Sequence, residues 1–167
     1  MPNYICTTCG VQYAESAAPP PSCPVCEDER QYVGWGGQRW TTLAELRSTH
    51  TNVVRAESGL TGILTEPAFA IGQRALLVPD PRFPLLWDCL TLIDDATVAA
   101  VRAAGGIRAV AVSHPHYYSA VVEWARAFDV PVYLHAADRA WVMRPDRAIV
   151  FWEGDSLVLS EGVTLIR

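Results

Sequence analysis

Ile107-Arg108-Ala109-Val110-Ala111-Val112-Ser113-His114-Pro115-His116-Tyr117-Tyr118-Ser119 decides how this chain is read. The largely apolar run 107–112 has the length and composition of a strand buried on both faces, as parallel sheets require. Behind it, Tyr118, Val121, Val122 and Ala125 fall at helical spacing and predict a helix over 117–128. Two of the chain's 4 histidines therefore sit where a buried strand gives way to a helix. In open α/β sheets that carboxyl end is where ligands gather. Two imidazoles at i and i+2 in an extended turn can chelate one divalent ion, and Pro115 limits the conformations between them. His114 and His116 are thus candidate ligands of a divalent metal ion. A histidine pair on a polar surface loop is the plainer alternative.

Outward from this stretch the pattern alternates. Residues 130–134 form a second buried strand, Asp138 caps a short helix toward Arg144, and 148–152, 156–159 and 163–166 are strand-like. Upstream, Asp95 caps a helix that stops at Gly105-Gly106. Before it, 52–56, 62–65, 74–78 and 84–88 are short strands divided by Gly and Pro, the sequence of an antiparallel meander. Earlier still, Trp40 opens a helical stretch, Thr42 and Glu45 make a capping box, and the helix ends near His50. The expectation is an α+β sheet with helices on at least one face. The apolar strand ending at Arg167 has an unprotected edge, which reads as a fragment truncated at its C-terminus.

Residues 1–30 differ in kind. They carry four of the 5 cysteines, the run Pro19-Pro20-Pro21 and little aliphatic bulk, too little to offset their own ordering entropy. The change of character comes at Gln31, and Gly34, Gly36 and Gly37 follow around Trp35. Cys6-Thr7-Thr8-Cys9-Gly10 and Cys23-Pro24-Val25-Cys26 are two Cys-x-x-Cys knuckles. Each lets two sulfurs reach one ion, and together they fill a tetrahedron with no position left for substrate. Cys6, Cys9, Cys23 and Cys26 are therefore expected to hold a structural zinc in a small zinc ribbon. Iron is the alternative, since both knuckles resemble those of rubredoxins. The division expected is 1–30 ribbon, 31–50 linker and short helix, and 51–167 the main domain.

Composition excludes other classes. Half of the 167 residues are apolar and 19% are charged, so a packed core is attainable. A net charge of −5 has the wrong sign for a nucleic-acid or anionic-membrane binder. The start lacks the basic-then-apolar pattern of a secretory signal, and no apolar run approaches a spanning helix. A cytoplasmic protein is expected, without membrane or nucleic-acid partners.

The order of Asp88 at a strand end, a helix, and a second strand delivering His114 and His116 resembles the metallo-β-lactamase superfamily of glyoxalase II-like zinc hydrolases. The resemblance covers about residues 50–167 and implies the first half of an αββα sandwich. It implies that His114 and His116 are the first two histidines of the family's His-x-His-x-Asp-His motif and that Asp88 is the strand-end aspartate orienting the site. Tyr118 and Ser119 stand where that motif has Asp and the last His. A phenol and a hydroxyl are poor zinc donors, so a mononuclear site is implied, incomplete within 167 residues.

Tyr117 and Tyr118 are further candidates for the pocket, as oxyanion donors or as packing residues. His135, ending a strand at the same edge, is a pocket residue or surrogate ligand, or else a hydrogen-bonded rim residue. Cys89 reads as a buried thiol and His50 as a helix-end imidazole. Three functions compete: a zinc hydrolase acting on a small ester, thioester or lactone; a non-catalytic binding protein whose ribbon meets a partner protein; and a rubredoxin-like redox protein.

Overall fold

The first cysteine turn reverses the chain, so short strands run into and out of it. The computed structural model describes residues 1–27 and 33–167. In it β1 (Asn3–Cys6) pairs antiparallel with β2 (Gln12–Glu15), and β3 (Trp40–Thr42) flanks β1 on its other side. Trp40 therefore belongs to a strand and does not open a helix. Its ring meets Tyr13 edge-on at 5.1 Å, and an aromatic followed by two threonines suits extended backbone. The third strand of the cysteine-bearing sheet thus comes from the segment expected as a linker. The boundary expected at Gln31 lies outside the described residues.

Helix α1 (Leu43–Thr49) begins as the capping box requires: Thr42 accepts from the Glu45 N–H, and Glu45 reaches back to the Thr42 N–H. The meander follows as β4 (Thr51–Glu57), β5 (Leu60–Glu66), β6 (Arg74–Val78) and β7 (Leu85–Trp87), each antiparallel to the last. Then the connections lengthen and the pairing turns parallel. Helix α2 (Asp95–Ala103) crosses to β8 (Ala109–Ala111), α3 (Val121–Phe128) to β9 (Val132–His135), and a short 3-10 segment (Ala136–Trp141) leads toward β10 (Ile149–Trp152). The result is one mixed sheet in the order β10-β9-β8-β7-β6-β5-β4. A separate hairpin, β11 (Ser156–Val158) and β12 (Thr164–Ile166), follows it.

Strand alternation sorts the two faces. Leu86, Val110, Val132 and Leu134 join Val101 of α2 and Val121, Val122, Trp124 and Ala125 of α3 in one core. Trp124 is fully buried, and its indole N–H donates to the Leu90 carbonyl at 3.0 Å. Burial of such a side chain contributes ~2–3 kcal/mol. Leu85, Ala109 and Ala111, on the opposite face, pack under Val163 and Leu165 of the hairpin.

Three helix starts differ from expectation. Asp94, not Asp95, caps α2, because its carboxylate reaches the Thr97 N–H at 2.7 Å. The helix expected over 117–128 is broken into a 3-10 turn (Pro115–Tyr117) and α3, with Ser119 between them at φ 41°. That break turns the Ser119 carbonyl toward β2, where it accepts from the Gln12 N–H at 3.1 Å. Asp138 caps nothing: it lies inside the 3-10 segment, whose cap is the His135 ring accepting from the Ala137 N–H.

The cysteine module is built into this core. Cys6, Cys9, Val11, Cys23, Val25 and Cys26 belong to the same buried cluster as Leu86 and Trp124. The Ala14 N–H donates to the Met143 carbonyl, the Thr91 hydroxyl to the Gly10 carbonyl at 2.9 Å, and Arg144 to Gln12 and Glu123. Gly10 has φ 80°, and a Cβ there would stand 2.4 Å from the Thr91 hydroxyl. Gly59 has a similar φ of 85° but faces open space. Gly10→Ala should therefore lower stability by about 2 kcal/mol or more, and Gly59→Ala by clearly less. Urea unfolding followed by tryptophan fluorescence checks the pair; equal losses would mean that the contact with Thr91 is slack.

Candidate metal centres

The four cysteine sulfurs converge. Cys6 Sγ lies 3.5 Å from Cys26 Sγ and Cys9 Sγ lies 3.6 Å from Cys23 Sγ. All four lie within 4.8 Å of one another, and none is in a disulfide. With zinc–sulfur bonds of about 2.3 Å, a tetrahedral ion separates its sulfurs by about 3.8 Å. The cluster fits such an ion, and the four residues can hold a metal. Backbone supports the first knuckle: the Thr8 and Cys9 N–H groups point at Cys6 Sγ at 3.3 and 3.4 Å, and the Gln38 amide donates to it at 2.9 Å. The neighbouring Cys23 sulfur, followed by the Cys26 and Cys9 sulfurs, holds the Cys6 thiol well below the ordinary thiol range. Tyr13 is buried beside the cluster, and burial first, then the Cys23 sulfur, raises its phenol.

The second candidate lies at the carboxyl ends of β7, β8 and β9. Asp88 follows β7 at φ 63°, a left-handed conformation that aspartate tolerates better than most side chains. Its N–H donates to the Ala111 carbonyl at 2.8 Å. Its carboxylate accepts from the Ser113 N–H at 2.9 Å and the Ser113 hydroxyl at 2.8 Å. Asp88 thus clamps the end of β7 to the turn after β8. The histidines follow immediately. Their rings stack with centroids 4.8 Å apart and planes 16° from parallel, and the two Nδ1 atoms face each other at 3.0 Å. His114 Nδ1 also accepts from the His116 N–H at 3.2 Å, capping the 3-10 turn. Two imidazole nitrogens this close share either a proton or a cation. Two nitrogens on a tetrahedral zinc lie about 3.3 Å apart, close to this separation; an ion on both would have the rings turn from their stack and His114 Nδ1 release the His116 N–H.

A cleft of about 190 Å³ opens over this turn, lined by Ser113, His114, His116, Asp138, Trp141 and Val25. Val25 brings the second cysteine knuckle to the wall. Asp138, read from sequence as a cap, is the carboxylate of this cleft; a lone aspartate between strand and helix signals a cap far more often than a pocket. Tyr118 is not in the cleft. It is buried toward Val11 and Gln12, and burial raises its phenol, with the Asp138 charge adding to the effect. Ser119 is likewise buried. Tyr117 is half-buried on the 3-10 turn. His135 lines an adjoining cleft of about 220 Å³, with Trp87 and Trp152, which shares Ser113 and Asp138 with the first. Both of its ring nitrogens have partners, Nδ1 accepting from the Ala137 N–H at 3.2 Å and Nε2 lying against the Gly154 carbonyl at 3.1 Å. Cys89 is fully buried, which pushes its thiol well above the usual range. Among the described residues the four cysteines are the group of three or more His, Cys, Asp or Glu side chains close enough to hold an ion. Gln73, a buried amide, has no motif around it in the sequence, yet it touches both centres: its side-chain nitrogen donates to the Cys9 carbonyl at 2.5 Å and the His116 carbonyl at 2.9 Å.

Among the described residues no helix is long and apolar enough to cross a membrane. No family model matches the chain. A Bacillus subtilis (strain 168) protein, the uncharacterized protein YmaE, is 50% identical over 170 residues, and the chain spans 62% of that relative's length. The crystal structure of the DIM-1 metallo-β-lactamase exposed to ceftazidime aligns at a TM-score of 0.49 with 13% identity, covering 66% of this chain and 56% of that one. The FIM-1 metallo-β-lactamase from Pseudomonas aeruginosa in its mono-zinc form aligns at 0.47 with 15% identity, covering 68% and 57%. At such scores neither alignment bears on the activity.

Two measurements check this geometry. With zinc bound, a thiol reagent should find four cysteines protected; a strong chelator should release those four together while Cys89 stays slow. Release of two alone would break the four-sulfur cluster. Burial holds the Asp88 carboxyl above its ordinary range despite the Ser113 hydrogen bonds. The native state thus keeps this proton to higher pH than the unfolded chain does. Its stabilising contribution is full below the ordinary aspartate pKa and is lost as pH rises through the raised native value. Asp88→Asn keeps an acceptor for Ser113 without the titration, so its stability relative to wild type should climb as pH rises from about 4. A constant difference across denaturation curves at several pH values would contradict this.

Proposed function

We propose that the chain carries a hydrolytic, mononuclear zinc site of the metallo-β-lactamase superfamily type at the ends of β7, β8 and β9, beside a structural zinc held by Cys6, Cys9, Cys23 and Cys26. The observation that carries the reading is the pair of Nδ1 atoms 3.0 Å apart on a turn that Asp88 pins through Ser113. His114 and His116 are the ligands, and Asp88 acts as an orienting residue through the backbone it fixes. Zinc, when bound, supplies Lewis acidity toward a carbonyl oxygen and toward water at neutral pH. Asp138, on the wall of the same cleft, is the carboxylate available to accept a proton. Trp141, Val25 and Pro115 give the cleft an apolar wall suited to the acyl part of a small ester, thioester or lactone. Among the described residues no third His, Cys, Asp or Glu ligand atom lies close enough to join the two imidazoles.

Metal analysis and a panel of small esters and thioesters test the reading. One tight zinc should belong to the cysteines. A second, weaker one and any hydrolysis should be lost in the double variant His114→Ala/His116→Ala. An unchanged metal ratio in that variant retires the second site. Retained metal without hydrolysis favours a binding protein with a partner at the cysteine module, and visible thiolate–iron absorbance favours the redox reading.

A further inference from the structure

We propose that Gln73 is a positioning residue that couples metal occupancy of the cysteine cluster to the geometry of the His114–His116 turn. The inference rests on the reading that the four cysteines hold an ion. It does not require a second ion at the histidines.

Gln73 stands just before β6, with 5% of its surface exposed. Its amide nitrogen donates to the Cys9 carbonyl at 2.5 Å and to the His116 carbonyl at 2.9 Å. Both partners are acceptors only, so chemistry fixes which end of the amide faces them, and its two protons are fully used. One planar group therefore measures the distance between a cysteine ligand and a histidine of the turn. The Cys9 carbonyl is set by the knuckle: Gly10 N–H closes onto the Cys6 carbonyl at 2.8 Å, and the N–H groups of Thr8 and Cys9 are aimed at Cys6 Sγ. An ion on the four sulfurs holds that knuckle in shape. When the knuckle opens, the Cys9 carbonyl moves. The amide must then either follow it, drawing on His116, or leave a buried N–H unpaired.

Among the described residues, the hydrogen bonds from Thr91 and Gln12 between the two parts do not end on the histidine turn. Thr91 binds the Gly10 carbonyl alone. Gln12 grips Ser119, beyond the turn. Thr91 thus supplies a control. With zinc holding the four sulfurs, its loss removes a hydrogen bond to the Gly10 carbonyl while the Cys9–Gln73–His116 link stays in place.

The test uses the full chain loaded with one equivalent of zinc and observes imidazole resonances by isotope-edited NMR, with His50 and His135 as internal references. Gln73→Met matches the side chain's length without its donors. It should keep the zinc but shift the His114 and His116 resonances, whereas Thr91→Val should leave them at wild-type positions. Chelation of the wild type should move them toward the Gln73→Met positions. Superposable His114 and His116 resonances in loaded Gln73→Met and wild type overturn the proposal, as do equal shifts in Gln73→Met and Thr91→Val. Should chelation unfold the chain, the loaded variants decide. Should Gln73→Met not fold, Gln73→Asn, whose amide is too short to span both carbonyls, takes its place with the same criteria. A wild type that binds no zinc at its cysteines fails at the metal analysis and overturns the cysteine-metal reading itself. Zinc bound with unmoved histidines overturns only the coupling.

Discussion

Four sulfurs meet inside the core that Leu86 and Trp124 also occupy, and much else is arranged around that fact. Buried thiolates without a counter-ion repel one another and lose hydration, so their convergence is costly unless a cation joins them. A polar, proline-rich block can order itself this way where apolar burial alone would not suffice. Because the cluster faces the sheet, the ordering does not stop at the knuckles. Val11 and Val25 come with it into the core, and Thr91, Arg144 and Gln73 find acceptors on the cysteine-bearing strands and turns.

The second centre depends on register. Parallel pairing of β7, β8 and β9 brings their carboxyl ends to one rim, where Asp88, the histidine turn and the 3-10 segment with Asp138 lie side by side. Asp88 bonds across two strand ends, and its left-handed backbone is what turns its carboxylate onto Ser113. The same rim receives Val25 from the cysteine module, so the cleft has walls from distant parts of the sequence. Tyr118 and Ser119 point elsewhere. The broken helix gives them to the interior and the Ser119 carbonyl to β2.

Local patterns were legible where the chain answers to its neighbours in sequence. The Thr42–Glu45 capping box, the meander strands and both cysteine knuckles depend on spacing of two to four residues, and spacing is visible. Trp40 and the 117–128 stretch depart from their local pattern because their partners are remote in sequence. Trp40–Thr42 becomes a strand because β1 is waiting for it. The helix is interrupted at Ser119, whose carbonyl goes to the N–H of Gln12, more than a hundred residues earlier.

The sequence alone determined that four cysteines would gather, that a strand would end in two histidines, and that strand-and-helix alternation would follow a meander. Short-range geometry and the period of apolar residues are enough for those. Only the tertiary structure decided that the cysteine module shares the main core, that the imidazoles face each other across 3.0 Å, and that Asp138 lines their cleft while Gln73 ties one centre to the other. Such contacts are settled by hydrogen-bond satisfaction between distant segments, and a buried amide or carboxylate carries no mark in sequence of the partner it will meet.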